Sequence, residues 1–226
     1  MTIEPSGRVS RPNKLWFGLL ALIGSVLAGT VAAQAQQFSA DLVSAQDNAA
    51  AVPAGRVRVL GDKVRLETSE IPDGFFLIGV VKPAAYFVRP RARVFMDARQ
   101  SSRLARIFVT VDPDDPCRQW QAMAQQAGLD EQSLRCERIG EEMIGGRNTI
   151  AYRAISASGR QFSGWIDRER RFPLRLKTED GTIITAEHVL DEPQPAELFQ
   201  MPLGFRKFDP QQLIDRIKQS DVWVAD

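Results

Sequence analysis

The chain has 226 residues, of which 44% are hydrophobic and 25% charged, and its formal net charge at pH 7 is +1. This length and composition indicate one or two globular domains with a sizeable core, and they exclude a chain that is disordered throughout. Because the chain is nearly neutral, it has no global electrostatic attraction for nucleic acid, and we expect no nucleic-acid partner.

The N-terminus has the three-part pattern of a secretory signal. Residues 1–14 are polar and basic, residues 15–28 are apolar and uncharged, and Ala33-Gln34-Ala35 is an A-x-A site. This order predicts a signal peptide over residues 1–35 that is cleaved between Ala35 and Gln36. The remainder, residues 36–226, is then exported as a single domain that contacts the membrane only transiently. The alternative is an uncleaved inner-membrane anchor over residues 15–33, a stretch just long enough to span a bilayer.

The chain contains two cysteines, Cys117 and Cys136. An even number of cysteines in an oxidising compartment predicts a disulfide bond between them, with two separate buried thiols as the alternative. A cross-link that closes a loop of this size contributes about 3 kcal/mol to stability.

The elements of the first half are read from the spacing of apolar residues. Residues 36–52 are rich in Ala and Gln, and the spacing of Phe38, Leu42 and Val43 predicts a first helix, with the tail of the cleavage region as the alternative. From residue 56 onwards apolar and charged residues alternate, which predicts a β-hairpin over 56–60 and 63–68 around Gly61-Asp62. We predict further strands at 75–81, 85–88 and 93–96, and residues 104–111 form either another strand or the end of a short helix.

The second half begins with a helix signal and continues as strands. Asp115 followed by Pro116 predicts the start of a helix over 117–127. Gly-containing turns then separate short alternating stretches, which predicts an antiparallel meander with strands at 136–144, 148–156, 161–167, 173–178 and 182–190. Asp209-Pro210 predicts the start of a final helix over residues 209–220.

Residues suited to catalysis or metal binding are few. The single histidine, His188, lies in an alternating stretch and is predicted to be a surface or half-buried strand residue. The candidate acids are Glu141, Glu142 and Asp180, but neighbouring strand residues point to opposite faces, so Glu141 and Glu142 do not converge. We therefore expect no catalytic residues, no metal site and no cofactor, and we keep a carboxylate-based hydrolase as a minor alternative.

Aromatic and large apolar residues are distributed through the predicted sheet and its first long helix. They form an ordinary core or line an apolar cavity between a sheet and the helices that cover it. The candidate lining residues are Phe76, Ile78, Phe87, Phe95, Trp120, Met123, Phe162 and Trp165.

Several segments resemble a known family of exported proteins. The strand pair at residues 55–68 and the strands at 75–96 resemble those of the periplasmic lipoprotein-carrier (LolA-like) fold. The run Trp165-Ile166-Asp167 and the tail Leu198-Phe199-x-Met201-Pro202-x-Gly204-Phe205 are similar to an uncharacterised exported subgroup. The resemblance covers residues 38–208. It implies an α+β fold, with a strongly curved antiparallel sheet forming an open half-barrel and helices packed on its concave face, in the periplasm of a Gram-negative-type envelope.

These observations lead to two functional expectations. The first is a non-enzymatic periplasmic binding protein for an apolar or lipid-like ligand or for a lipidated partner. The alternative is a structural or sensor-type protein-interaction domain of the cell envelope. The expected partner is accordingly a lipid, a lipoprotein or an envelope protein.

Overall fold

The computed structural model describes residues 36–46, 49–99, 102–127 and 133–209. The predicted signal peptide, including Ala35 at its cleavage site, lies outside the described residues, and so does the predicted C-terminal helix apart from Asp209. Within the described ranges, no helix combines the length and the apolar character needed to cross a membrane.

The described residues form one twelve-stranded sheet with two helices and one 3₁₀ turn. The strands are β1 (Gln37–Ala45), β2 (Val52–Leu60), β3 (Lys63–Thr68), β4 (Phe75–Gly79), β5 (Ala84–Arg89), β6 (Val94–Asp97), β7 (Leu134–Ile144), β8 (Arg147–Ser156), β9 (Gln161–Asp167), β10 (Phe172–Thr178), β11 (Ile183–Leu190) and β12 (Arg206–Lys207). The helices are α1 (Leu104–Ile107) and α2 (Pro116–Gln126), and the 3₁₀ turn is Ala196–Phe199.

Two antiparallel meanders meet at the first strand. The sheet order is β12-β6-β5-β4-β3-β2-β1-β11-β10-β9-β8-β7, so β1 joins the meander β2–β6 to the meander β7–β11. β12 pairs parallel to β6, whereas the meander strands pair antiparallel. The predicted hairpin has the expected register, with Val57 opposite Leu66 and Val59 opposite Val64 on the buried face.

The prediction of a first helix over residues 36–52 is wrong, because this segment begins with the central strand β1. Phe38, Ala40 and Leu42 alternate along it and are 0%, 1% and 3% exposed. The four-residue spacing of Phe38 and Leu42 fits both a helix and a strand, so the apolar spacing does not distinguish them. The segment forms a strand because it pairs with β2 on one side and with β11 on the other.

The segment between β6 and α1 shows how strongly the sheet is curved. The amide of Ala98 donates to the carbonyl of Ala85 in β5 (2.8 Å), and Arg103 Nη2 donates to the carbonyl of Gln161 in β9 (3.3 Å). The amide of Ser102 donates to the carbonyl of Ala98 (3.0 Å), so the chain turns back here, and with the arginine side chain and both hydrogen bonds it spans roughly 25 Å. In a flat sheet β5 and β9, which are seven positions apart in the strand order, would be separated by about 34 Å. The predicted α+β fold with an open, curved antiparallel sheet is confirmed.

Both helices pack against the concave face of this sheet. Alternate residues of the strands form one buried apolar cluster with Ile107 of α1 and with Trp120 and Met123 of α2. α2 begins at Pro116, as the Asp-Pro pair predicts, because proline needs no hydrogen-bond acceptor in the first turn of a helix. The predicted disulfide is confirmed: Cys117 and Cys136, with Cα atoms 5.7 Å apart, join the first turn of α2 to β7.

The convex face is partly covered by the C-terminal strap, which we define as residues 191–207. Phe75, Leu77 and Val88 form a second, smaller apolar cluster there, against which Met201 and Phe205 of the strap pack. The strap is held by polar contacts to the sheet. Ser39 Oγ donates to Glu192 Oε1 (2.6 Å), the amide of Gln194 donates to Gln37 Oε1 (2.7 Å), and Arg65 Nη1 donates to the carbonyl of Leu198 (3.3 Å).

Candidate functional site

Six of the eight candidate cavity residues lie together on the concave side. They are at most 8% exposed and belong to one apolar cluster: Phe76, Ile78, Phe87, Trp120, Met123 and Phe162. The concave face is therefore a continuous apolar surface, and in this structure it is packed against the helices.

The other two residues, Phe95 and Trp165, lie on the convex face. Phe95 is opposite Val88 in the pairing of β5 with β6, and its ring meets Tyr86 edge-on with the centroids 5.6 Å apart. Trp165 alternates with the buried Phe162, Gly164 and Ile166 along β9, and its Nε1 donates to Glu142 Oε2 (2.6 Å). Successive side chains of a strand point to opposite faces of the sheet. Because Trp165 is three residues after Phe162, the two side chains lie on opposite faces.

The helical lid, defined as residues 98–127, is seated on the sheet through Trp120. The indole Nε1 donates to the carbonyl of Ile107 (3.0 Å), and the ring meets Phe162 at a centroid distance of 4.9 Å. A Cβ atom at Gly164 would lie 2.9 Å from Trp120 Cη2. The missing side chain at Gly164 thus makes room for the indole, which closes the centre of the concave face.

Contacts made by the residues just before α2 tie the lid to the sheet. The Tyr152 hydroxyl donates to the carbonyl of Pro113 (2.9 Å), and the amide of Val111 donates to the carbonyl of Arg171 (2.8 Å). The disulfide is the covalent tie. Burial of the phenol raises the pKa of Tyr152 above its ordinary value of 10.0, so the hydroxyl keeps the proton that it donates to the lid.

We expect Tyr152→Phe to change the stability of the protein at alkaline pH. Above the ordinary tyrosine pKa the unfolded chain loses the phenol proton while the folded chain keeps it. The contribution of Tyr152 is therefore complete below pH 10 and is lost as the pH rises through the raised pKa. The variant should not lose this stability at alkaline pH. At neutral pH it should be about 1 kcal/mol less stable than the wild type, because it lacks the hydrogen bond to Pro113. Urea unfolding at a series of pH values checks this, and identical pH slopes for the two proteins would contradict it.

Removing the disulfide is expected to loosen the lid and destabilise the fold. The double variant Cys117→Ala/Cys136→Ala should lose about 3 kcal/mol of unfolding free energy, because the unfolded chain regains the entropy of the closed loop. For a domain of this size the loss corresponds to a decrease in Tm of roughly 6–12 °C. Calorimetry of the variant and of the oxidised wild type measures it. The matched control is the reduced wild type, whose Tm should decrease by a similar amount.

A buried ion pair lies at the turn between β9 and β10. The side chains of Asp167 and Arg170 are 3% and 5% exposed, and Arg170 Nη1 donates to Asp167 Oδ2 (2.9 Å). Asp167 Oδ1 also accepts the backbone amides of Glu169 (2.9 Å) and Arg170 (3.2 Å). Arg170 Nη2 donates in addition to Asp191, so this network joins the sheet to the start of the strap.

The acid and base candidates are held apart, each by its own neighbours. Glu141 pairs with Arg138, whereas Glu142 accepts from Trp165 and, at 2.8 Å, from Arg175 Nη1. Asp180 accepts a hydrogen bond from the Thr178 hydroxyl, which lowers its pKa and keeps it ionised.

His188 is separate from these carboxylates. Its side chain is 76% exposed, and Nδ1 lies 3.3 Å from Asp41 Oδ2. The described ranges contain no group of three or more His, Cys, Asp or Glu residues that could hold a metal ion.

An apolar pocket that the sequence did not predict lies beneath the strap. It measures about 190 Å³, and its lining includes Leu77, Ile78, Tyr86, Phe199 and Met201. The apolar pattern Leu198-Phe199-x-Met201 is the sequence signal for it. Three further pockets of about 410, 420 and 490 Å³ include charged side chains in their lining.

Comparison with known proteins finds similarity of fold and none of sequence family. No protein-family model and no curated protein matches the chain. PNGF-II is 10% identical, with a TM-score of 0.49 over 82% of this chain and 33% of that chain. The MucA/MucB complex of Pseudomonas aeruginosa gives 12% identity and a TM-score of 0.38 over 73% of this chain and 56% of the matched chain.

A putative outer membrane lipoprotein-sorting protein domain from Vibrio parahaemolyticus is also similar. It gives 11% identity and a TM-score of 0.34, over 72% of this chain and 89% of the domain. This chain spans about a third of PNGF-II and just over half of the matched MucA/MucB chain. At these identities and TM-scores the likeness concerns the fold alone and carries no argument about ligand, partner or activity.

Proposed function

We propose that this chain is an exported, non-enzymatic binding protein of a Gram-negative-type periplasm. Its ligand is an apolar or lipid-like molecule, or the lipid part of a lipidated partner, held between the concave face and the helical lid. The observation that supports this role is the continuous apolar surface of the curved sheet, which is covered by a lid with only two short helices, of 4 and 11 residues.

Insertion of a ligand beneath the lid is physically reasonable because apolar burial is not directional. The lid covers the sheet mainly with apolar side chains, among them Ile107, Phe108 and Trp120. A hydrocarbon chain that inserts between the lid and the sheet contacts the apolar side chains of both, so both surfaces stay away from water. The hydrogen bonds to Tyr152 and Arg171 are made by Pro113 and Val111, close to the disulfide at the first turn of α2, so a displacement of the lid would turn about this end.

The carboxylates support binding over catalysis. Glu142 is occupied by two donors, and Asp180 is kept ionised by hydrogen bonds within its turn. A general acid needs a raised pKa and a general base needs a free lone pair aimed at a substrate. The hydrogen bond from Thr178 lowers the pKa of Asp180, which is the opposite of what a general acid needs.

Two aromatic residues on adjacent strands provide a matched test of this function. Phe87 of β5 belongs to the concave cluster and Phe95 of β6 to the convex one. The full chain is produced in a bacterial host that exports it, and native mass spectrometry and lipid extraction identify any apolar molecule that co-purifies. Phe87→Ala should lose most of this molecule and Phe95→Ala should retain it, after circular dichroism has shown that both variants fold.

Two results would overturn the proposal. One is a wild-type protein that carries no apolar molecule and binds no fluorescent fatty acid. The other is equal loss from the Phe87 and Phe95 variants, which would place the ligand elsewhere or show a general effect on stability.

The second candidate is a structural or sensor-type interaction domain of the envelope. It is favoured by the exposed strand β7, which ends the sheet and carries the exposed side chains Ile139 and Met143. The variant Met143→Asp, which places a charge on β7, separates the two functions. Loss of a captured envelope protein with retained lipid supports interaction through β7, and a wild type that retains lipid without capturing any protein supports carriage.

A further inference from the structure

The two edges of the sheet differ in how they are covered. At one edge the strap lies beside β6, where Arg206 and Lys207 pair with Val94 and Phe95. At the other edge β7, with 11 residues, ends the sheet as far as the structure describes it. An edge strand of this length presents a row of backbone amide and carbonyl groups to a further strand.

A bulge divides β7 into two halves with opposite side-chain parity. Cys136 and Arg138 lie opposite Ala154 and Tyr152, which are buried on the concave face. The register shifts between Arg138 and Gly140, and beyond the shift Glu141 lies opposite the buried Ile150. Arg138 and Glu141 therefore share a face although they are three residues apart, and their salt bridge shows it.

This parity restricts how β7 can pair with an identical strand. Residues directly opposite each other in an antiparallel pair point to the same face. On the concave side, an even-numbered residue of the first half must therefore face an odd-numbered residue of the second half. On the convex side the reverse holds. In both cases the numbers of the two facing residues add up to an odd number. One such register is that in which the numbers of facing residues add up to 277. In it Leu134 of one copy faces Met143 of the other, and Arg135 faces Glu142. Each pair occurs twice because the two copies are related by a two-fold axis.

We propose that β7 pairs with β7 of a second copy of this chain in this register. The pairing places two opposite charges face to face on the convex side, where the side chain of Arg135 is 73% exposed and that of Glu142 is 47% exposed. It also covers Ile139 and Met143, which are 44% and 60% exposed. The dimer continues one curved sheet through both copies, with the isologous symmetry that is commonest among soluble oligomers.

Charges on β7 disfavour the neighbouring registers. With the sum 279, Glu137 would face Glu142 on the same face, and this repulsion offsets the attraction between Arg138 and Glu141, which would also face each other. With the sum 275, Glu137 would face Arg138, but these two residues point to opposite faces of the sheet. The charges on β7 thus favour the 277 register, which pairs opposite charges and brings no like charges together. Arg135 now forms an exposed salt bridge with Glu137 of the same strand, and exposed salt bridges contribute little to stability. Losing this salt bridge on dimerisation therefore costs little free energy.

Sedimentation velocity of the full, exported chain over a wide range of concentration tests this dimer, and intact mass establishes its N-terminus. The wild type should dimerise. Arg135→Glu should weaken dimerisation by roughly tenfold, because two like-charged pairs replace two opposite ones. Arg91→Glu is the matched control: Arg91 is exposed in the turn between β5 and β6, away from the β7 edge, and this variant should dimerise as the wild type does.

Hydrogen exchange locates the contact independently of any variant. The amides of residues 134–144 should become more protected as the protein concentration rises. A wild type that stays monomeric overturns the proposal. So does a dimer that is indifferent to Arg135→Glu, or one in which concentration-dependent protection appears away from β7.

Discussion

Replacing Trp120 with alanine is expected to lower the free energy of unfolding by about 3–5 kcal/mol. The indole is 1% exposed, and it fills the space above Gly164 between the lid and the sheet. Its removal leaves a cavity and also frees the carbonyl of Ile107, which accepts the indole hydrogen bond. Denaturant unfolding followed by circular dichroism measures the loss.

Trp165→Ala is the matched control for this variant. Trp165 lies half-buried on the opposite face of the same sheet, where it contacts Glu142 and Arg175. Its replacement should cost about 1–2 kcal/mol, the value of an exposed hydrogen bond and a cation–π contact. Equal losses from the two variants would contradict the central position assigned to Trp120. The cavity left by Trp120→Ala should also take up a small apolar probe more readily than the wild type does.

Asp167→Ala is expected to destabilise the protein by about 3–5 kcal/mol, because it leaves the buried guanidinium of Arg170 without its buried charge partner. Asp191 cannot compensate fully, since its side chain is 62% exposed and Asp167 also accepts two backbone amides. Thermal and urea unfolding at neutral pH measure this effect.

A double variant separates the cost of an unpaired charge from the value of the pair. Asp167→Leu/Arg170→Met removes both charges and keeps apolar volume, so it should be clearly more stable than Asp167→Ala. A loss below 1 kcal/mol for Asp167→Ala would show that water or Asp191 satisfies Arg170, contrary to the burial of its side chain.

The sequence predicted the strands well where short-range chemistry determines them. Alternation and the Gly61-Asp62 turn fix the hairpin of β2 and β3, and the Asp-Pro pair fixes the start of α2. The segment of β1 was predicted as a helix because a four-residue apolar spacing fits both structures, and only pairing with β11, far along the chain, decides between them. Local patterns carry no information about such long-range pairing.

The sequence indicated which apolar residues could form the candidate site, but not how all of them are placed on the two faces of the sheet. Phe76, Phe87 and Phe162, three of the candidate lining residues, belong to one buried cluster on the concave face. Phe95 and Trp165 lie on the other face, as strand parity would have indicated once the registers were known. The closure of the concave face by Trp120 depends on the absence of a side chain at Gly164, a contact between two distant residues that neither local sequence reveals.

The position of β1 determines the order in which this molecule can assemble. Leu42 of β1 pairs with Ala186 of β11, 144 positions later. A growing chain that ends before residue 183 can complete the meander from β2 to β6, but one side of its central strand has no partner until nearly the whole polypeptide is present. Such distant pairing slows folding, since a large loop must close before the contact is gained. The half-made sheet therefore exposes an apolar edge for most of its synthesis, and this protein should depend on a holding chaperone until its last strands arrive.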